Sequence, residues 1–126
     1  MLWLVRLLAR SALAAIFLRS GSRALVDPGW QVERATQELP GLPEPHLVAR
    51  AQAAVQVAAG LALVIGVQKR LAAGALAATL IPVTYVGHPF WKIEDRQARN
   101  QQITHFLKNA GLFGGLVLIA LDGDSN

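Results

Sequence analysis

Seven polar residues within or beside long apolar segments are the residues of this 126-residue chain best suited to chemistry. They are Arg19, Arg23, Gln56, His88, His105, Lys108 and Asn109. A charged side chain inside an apolar run is costly in lipid, so each cation here points to function. Several cations with one nearby carboxylate, that of Asp27, suit a ligand that is anionic or carries a carbonyl group. Quinone oxygens, small oxyanions and lipid phosphates share that character.

The same side chains also have simpler interpretations. Arginine and lysine near a membrane interface can extend their charged ends to water, and Glu33, Glu38 or Glu94 could pair with them. Three histidines could hold zinc, or two of them a haem. They lie on separate segments without metal-ligand spacing, however. We therefore predict a ligand-binding role for the seven residues, and neither a metal ligand nor a catalytic residue.

The composition indicates that a membrane surrounds these residues. Hydrophobic residues make up 53% of the chain and charged residues 16%, whereas soluble proteins carry roughly 25% charged residues. The run from Leu71 to Trp91 contains no charged residue. The basic residues are scattered and form no stripe with interleaved aromatics, which argues against nucleic acid as a partner. The chain has no cysteine, so any redox role needs a bound cofactor or a partner.

The apolar runs predict the elements that position the polar residues. A membrane-spanning helix needs about 20 mostly apolar residues, and four segments qualify: 4–26, 47–67, 71–87 and 102–121. The chain is therefore predicted to be all-α, a single integral membrane four-helix bundle over residues 1–126. Gln68, Lys69 and Arg70 form a short turn that makes the second and third spans an antiparallel hairpin.

Charge sets the predicted orientation. Basic residues are enriched on the cytoplasmic side of membrane proteins, and Arg6, Arg10, Lys69 and Arg70 mark one side of this chain. Both termini should therefore lie in the cytoplasm, in a multi-pass protein of the cell membrane. The basic third loop is a mild conflict, which Glu94 and its neighbouring aspartate partly offset.

This orientation gathers the polar residues in the outer half of the bundle. At 1.5 Å per residue, Arg19, Gln56 and Lys108 each lie roughly 10 Å below the outer surface. His105 shares a helix face with Lys108, since residues three and four apart are neighbours. We therefore expect at least three of Arg19, His88, His105 and Lys108 to line one pocket that opens to the outside.

Small residues and one proline predict how the spans pack. Helices in lipid associate through small residues, and Gly111 with Gly115 forms such a face in the fourth span. Pro82 in the third span removes a backbone donor, which predicts a kink.

Short motifs in a fixed order resemble those of the DoxX family of small four-helix membrane proteins, along nearly the whole chain. They are Ala9-Arg10, Ile16-Phe17-Leu18, Ser20-Gly21, Leu42-Pro43, Gly60, Gly66, Lys69-Arg70-Leu71-Ala72-Ala73, Pro82-Val83-Thr84, His88-Pro89-Phe90-Trp91, His105-Phe106-Leu107-Lys108-Asn109 and Gly114-Gly115-Leu116. Two positions depart from the pattern of the family. Arg23 replaces a usual lysine, and Gln56 replaces a usual glutamate, which removes a carboxylate level with Lys108.

The resemblance implies an inner-membrane protein of the kind often found as an oxidoreductase subunit. The name of the family comes from a thiosulfate:quinone oxidoreductase. We expect a scaffold or accessory subunit for membrane redox or sulfur metabolism that does not catalyse alone. The alternatives are a quinone-binding oxidoreductase subunit and a small anion- or lipid-binding protein. Expected partners are membrane lipid, soluble redox enzymes or a sulfurtransferase, and further copies of the chain in a homo-oligomer.

Overall fold

The computed structural model describes residues 1–87 and 90–122, including their side chains except at residues 30, 31, 86, 87 and 90. The described residues form five α-helices, one 3-10 turn and no strand, so the all-α prediction is confirmed. The helices are α1 (Leu2–Val26), α2 (Gly29–Glu38), α3 (Pro45–Ile65), α4 (Lys69–Gly87) and α5 (Arg96–Asp122), with the 3-10 turn at Phe90–Lys92.

Local signals in the sequence explain where these helices begin and end. Gly66 ends α3 with φ at 90°, in the left-handed region that glycine enters without steric cost. Pro45 occupies the first position of α3, where its missing N–H costs no hydrogen bond. Asp95 begins α5 by accepting a hydrogen bond at Oδ2 from the Ala98 N–H, 2.9 Å away.

The fifth helix, α2, occupies the polar segment between the first two predicted spans. It packs against α3 and α4. Val32 is a buried hydrophobic residue of this helix. The chain leaves α2 through Leu39 and reaches α3 after Pro43. A short polar helix therefore lies against the ends of longer ones.

α1 and α3 run antiparallel in close contact, because two glycines let their backbones approach. A Cβ atom added at Gly21 would lie 2.9 Å from Val57 Cγ2 and 3.0 Å from the Ala53 carbonyl oxygen. A Cβ atom added at Gly60 would lie 2.9 Å from Leu18 Cδ2. Neither glycine can gain a side chain without moving a neighbour.

The glycine contact predicted in the last helix is not made among the described residues. A Cβ atom at Gly111 would meet no atom of the described residues within 4 Å, and one at Gly115 would meet only Leu13 Cδ2 at 3.9 Å. The core instead draws large residues from all four long helices, with Phe17, Leu63, Leu76 and Leu116 fully or almost fully buried. Leucine packing, rather than a glycine face, holds α5 in place.

Two arginines bind the carboxyl ends of two helices at one end of the fold. Arg10 Nε donates to the carbonyl oxygen of Leu63 at 2.9 Å, near the end of α3. Arg70 Nε donates to the carbonyl oxygen of Ala120 at 2.8 Å, near the end of α5. The last carbonyl groups of a helix lack intrahelical partners, and the helix dipole favours a cation there.

Within the described residues, two helices are long and apolar enough to cross a membrane. They are α3, with a mean hydropathy of 1.6, and α5, with a mean hydropathy of 1.4 over the most apolar stretch. Only 28% and 11% of those stretches are buried inside the fold. The apolar surface of α5 therefore faces outward, unlike that of a core helix in a soluble protein. α1 carries four arginines, which interrupt its apolar run.

Candidate functional site: a cavity shared by all five helices

A cavity of about 440 Å³ lies where the five helices meet. That volume is in the range of sites that hold one small molecule. Its lining is mostly aliphatic and aromatic, and Phe17, Val48 and Leu112 are examples. Five polar side chains interrupt that lining: Ser20, Gln52, Gln56, Lys108 and Asn109. An apolar enclosure with a few polar groups is typical of a binding site for an organic ligand.

Gln56 is held in one orientation by a chain of hydrogen bonds from α3 to α4. Its Nε2 donates to Thr79 Oγ1 at 3.4 Å, and that hydroxyl group donates its own proton to the Leu76 carbonyl oxygen at 2.8 Å. Thr79 can therefore only accept from Gln56, so the amide nitrogen must face Thr79. Gln56 lines the cavity and is only 6% exposed, and its amide oxygen accepts no hydrogen bond from the described residues.

Asn109 makes the corresponding link between α5 and α4. Its Nδ2 donates to Thr84 Oγ1 at 3.0 Å, and the residue is buried. Hydrogen bonds between helices at small polar residues fix the rotation of one helix relative to another. The Thr84 hydroxyl group on α4 thus holds Asn109 in position on the cavity wall.

Lys108 is the charged residue that lines this cavity. It is exposed on the surface of the isolated fold. Within the part of the chain that the structure describes, no carboxylate forms an ion pair with it; the salt bridge found there joins Lys92 to Glu38. The ammonium group is a donor of three hydrogen bonds without acceptor capacity. It can therefore bind an anionic or carbonyl oxygen at the cavity.

Four predicted site residues lie away from this cavity or outside the described residues. Arg19 and Arg23 on α1 are exposed and do not line it, and neither does the exposed His105 on α5. His88 lies outside the described residues. The cavity thus brings together Gln56, Lys108 and Asn109, and it does not collect three of Arg19, His88, His105 and Lys108.

α2 covers part of the cavity, and an ion pair holds its carboxyl end in place. Ala35 and Leu39 contribute to the lining, and Glu38 forms an ion pair with Lys92 in the 3-10 turn. The hydrogen bond to Glu38 and its negative charge raise the pKa of the Lys92 ammonium group above its ordinary value. The pair joins the segment before α3 to the segment after α4.

A second, more open cavity of about 380 Å³ lies between α4, the 3-10 turn and α5. Its lining includes the aromatic rings of Tyr85, Trp91, Phe106 and Phe113. The rings of Tyr85 and Trp91 contact each other with centroids 5.6 Å apart and planes inclined by 40°. Asn109 lines both cavities, so it stands on the wall between them.

Comparison with protein families shows the family of the chain. The family profile described as DoxX matches residues 5–89, which run from α1 through the described part of α4. The chain belongs to the DoxX family. Searches of curated proteins and of solved structures each give no match. Family membership agrees with a membrane protein, as do the two apolar helices.

The DoxX match divides the cavity residues into two groups. Ser20, Gln52 and Gln56 lie inside the matched range, whereas Lys108 and Asn109 lie beyond it on α5. In the resemblance drawn from the sequence, Gln56 stands where the family usually has glutamate. The structure gives this glutamine a partner of its own, Thr79 on α4.

Four polar residues of this DoxX protein were not among the sequence predictions, and they are Ser20, Gln52, Thr79 and Thr84. Gln52 and Gln56 are four residues apart, so they share a face of α3, and this spacing alone could have identified Gln52. Thr79 and Thr84 have no comparable signal, because threonine is common in apolar helices and its partners lie on other helices.

Proposed function

We propose that this DoxX-family protein is an inner-membrane binding subunit that supports membrane redox or sulfur metabolism without catalysing a reaction alone. In this proposal α1, α3, α4 and α5 form a four-helix bundle that spans the membrane. Both termini lie in the cytoplasm, and α2 lies at the outer surface. The ligand is an amphipathic small molecule held in the cavity between the helices.

The cavity is the observation that carries the proposal. All five helices contribute to its lining, so the fold as a whole builds it. Its polar groups are amides, a hydroxyl group and an ammonium group, which bind and orient a ligand. An apolar body with a polar head fits such a lining, and molecules of that kind are dissolved in the membrane around the helices.

The distribution of cations supports the orientation. Arg10 and Arg70 both lie at the end of the fold where α3 and α5 finish. Lys69 begins α4 at that same end. An excess of lysine and arginine marks the cytoplasmic face of membrane proteins. The opposite end carries α2 with Glu33 and Glu38, together with the basic residues Lys92, Arg96 and Arg99, which Glu94 and Asp95 partly offset.

A quinone is the second candidate ligand, and Lys108 favours it. A quinone carries a carbonyl oxygen that an ammonium group can bind, together with an apolar tail for the aliphatic lining. Bound quinone would make the protein a quinone-binding subunit of an oxidoreductase rather than a scaffold.

Purification of the full chain in mild detergent tests the binding role. Solvent extraction and mass spectrometry should recover an amphiphile at close to one molecule per chain. Ala49 lines the cavity, so Ala49→Phe should fill it and remove that molecule. Ala54→Phe is the matched control, since Ala54 is exposed on the same helix and outside the cavity.

The identity of what copurifies separates the two candidates. A quinone absorbance spectrum in the extract of the parent chain but not of Ala49→Phe supports the oxidoreductase subunit. Soluble redox enzymes or a sulfurtransferase that copurify with the chain support the accessory role. Equal amounts of amphiphile in the parent chain and in Ala49→Phe would refute the assignment of the cavity as the binding site.

A further inference from the structure

The amide oxygen of Gln56 is a buried acceptor without a donor. Its nitrogen is committed to Thr79, and among the described residues none donates a hydrogen bond to its oxygen. Thr79 cannot reverse the arrangement, because its proton is already used at the Leu76 carbonyl. Buried acceptors are almost always satisfied in native proteins. Gln56 lines the cavity, so a molecule held there can supply the missing donor.

Lys108 lines the same cavity, and its side chain needs an acceptor where the Gln56 oxygen needs a donor. Its ammonium group donates hydrogen bonds and accepts none. No aspartate or glutamate is among the described residues that line the cavity. A bound molecule that faces Lys108 must therefore supply an acceptor, and an anionic oxygen gives the stronger, charge-assisted bond.

The size and lining of the cavity define the rest of the molecule. About 440 Å³ suits one drug-sized molecule. Phe17, Val48, Val83 and Leu112 give it apolar walls. Those walls favour a hydrocarbon chain, because burial of apolar surface stabilises the complex. The volume of about 440 Å³ limits the ligand to a single chain beside its head group.

We propose, on the basis of the binding role assigned above, that the ligand is a single-chain amphiphile with a hydroxyl group beside an anionic group. The hydroxyl group donates to the Gln56 amide oxygen. The anionic oxygen accepts from the Lys108 ammonium group, and the chain lies along the apolar wall. The cavity therefore discriminates against an amphiphile whose head only accepts hydrogen bonds, because such a head leaves the Gln56 oxygen unpaired.

Four probes separate the contributions of hydroxyl group, charge and chain. Dodecanoyl glycerol phosphate carries a hydroxyl group, a phosphate and one chain. At about pH 8, where a phosphate monoester has lost both protons, dodecyl phosphate has no hydroxyl donor. Dodecanoyl glycerol lacks the charge, and glycerol phosphate lacks the chain. Binding of each probe to the full chain in nanodiscs is measured by native mass spectrometry. We expect dodecanoyl glycerol phosphate to bind at least about tenfold more tightly than dodecyl phosphate, since an unpaired buried acceptor is costly.

Two variants assign each preference to a residue. Gln56→Met should abolish the advantage of the hydroxyl group, and Lys108→Met should abolish the advantage of the phosphate over uncharged dodecanoyl glycerol. Gln97→Met and Arg99→Met are matched controls, because both residues are exposed on α5 and lie outside the cavity. Both controls should retain the preferences of the parent chain.

The outcomes distinguish this inference from the binding role on which it rests. If the parent chain binds dodecyl phosphate and dodecanoyl glycerol phosphate equally well, the hydroxyl requirement is refuted while the cavity remains a binding site. Glycerol phosphate that binds as tightly as its acylated form refutes the requirement for a chain and indicates a soluble ligand. A parent chain that binds none of the four probes refutes the inference and the binding role together. These comparisons use the unaltered protein, so they hold even if Gln56→Met fails to fold.

Discussion

Arg10 on α1 donates a hydrogen bond from its Nε to the carbonyl oxygen of Leu63, 2.9 Å away, in the last turn of α3. The bond ties the amino-terminal half of the first helix to the carboxyl end of the third. A charge-assisted bond to a carbonyl group without an intrahelical partner stabilises both helices.

Arg10→Met should therefore lower the free energy of unfolding by about 1–2 kcal/mol. Arg6→Met should change it by much less, because Arg6 is exposed on the same helix. Thermal denaturation of the full chain in detergent measures both. Equal losses in the two variants would show that the bond to Leu63 contributes nothing specific.

The predicted topology places both termini in the cytoplasm and α2 outside. Gln37 is exposed on α2, so a cysteine introduced by Gln37→Cys should react with a membrane-impermeant thiol reagent in intact cells. A cysteine introduced by Ser125→Cys should react only after the membrane is permeabilised. The chain has no native cysteine that would confuse the labelling. Labelling at Ser125→Cys and protection at Gln37→Cys would reverse the orientation.

Gln56→Glu tests whether positions 56 and 108 interact across the cavity that both line. A glutamate there should form an ion pair with Lys108 near neutral pH. Forming such a pair gains less than breaking one costs, so we expect a rise in melting temperature of about 2–5 °C. The rise should vanish in a Lys108→Met background. The same shift in both backgrounds would mean that the two residues do not interact.

The ion pair between Lys92 and Glu38 should stabilise the attachment of α2, and Lys92→Met should lower the melting temperature slightly. The Glu38 carboxylate raises the pKa of Lys92 above its ordinary value of 10.5. A raised pKa in the folded state means stabilisation that is complete below 10.5 and is lost as the pH rises through the raised value. The difference between parent chain and Lys92→Met should therefore shrink above pH 10.5.

High salt should reduce the difference in melting temperature between the parent chain and Lys92→Met, because the ion pair is partly exposed to solvent. Glu94→Gln is the control, since Glu94 is an exposed acidic neighbour of Lys92 outside the ion pair. Its melting temperature should follow that of the parent chain over the whole pH range. A difference for Lys92→Met that persists at alkaline pH would show that lost packing, not lost charge, causes it.

Gly21→Ala should separate α1 from α3, because the added Cβ atom would lie 2.9 Å from Val57 Cγ2 and 3.0 Å from a backbone oxygen. Overpacking of this kind costs about 1–3 kcal/mol. Gly111→Ala is the matched control, since its Cβ atom would meet no described atom within 4 Å. That variant should be neutral or more stable by up to about 1 kcal/mol, as alanine favours a helix. Destabilisation by Gly111→Ala instead would indicate that a second copy packs on that face.

The sequence was sufficient to predict the four long helices and the family, but not the short helix α2. Apolar runs of membrane-span length are a local property, so α1, α4 and α5 cover their predicted segments, and α3 covers all but the last two residues of 47–67. The DoxX profile confirms the family that the motifs suggested. α5 begins at Arg96, six residues before the predicted start at 102, because its first turns are polar and carry no apolar signal.

The candidate site was only partly predictable, since depth in a membrane does not fix the direction of a side chain. Arg19 and Lys108 were expected at the same depth, yet only Lys108 lines the cavity. The rotation of α1 decides this, because Gly21 of α1 faces α3 and Leu18 of α1 packs against Gly60 of α3. Arg19 lies on another face of α1 and is exposed.

By itself, then, the sequence determined that the chain is helical, where its long helices lie and which polar residues interrupt them, because each of these follows from neighbours along the chain. The tertiary structure decided that Gln56 turns its nitrogen to Thr79, that Asn109 bonds Thr84, and that Lys108 joins them at one cavity. Those relationships depend on which helix faces meet. Contacts between distant positions determine which faces meet: Gln56 and Thr79 are 23 residues apart, and Thr84 and Asn109 are 25 apart. No local pattern in the sequence encodes such contacts.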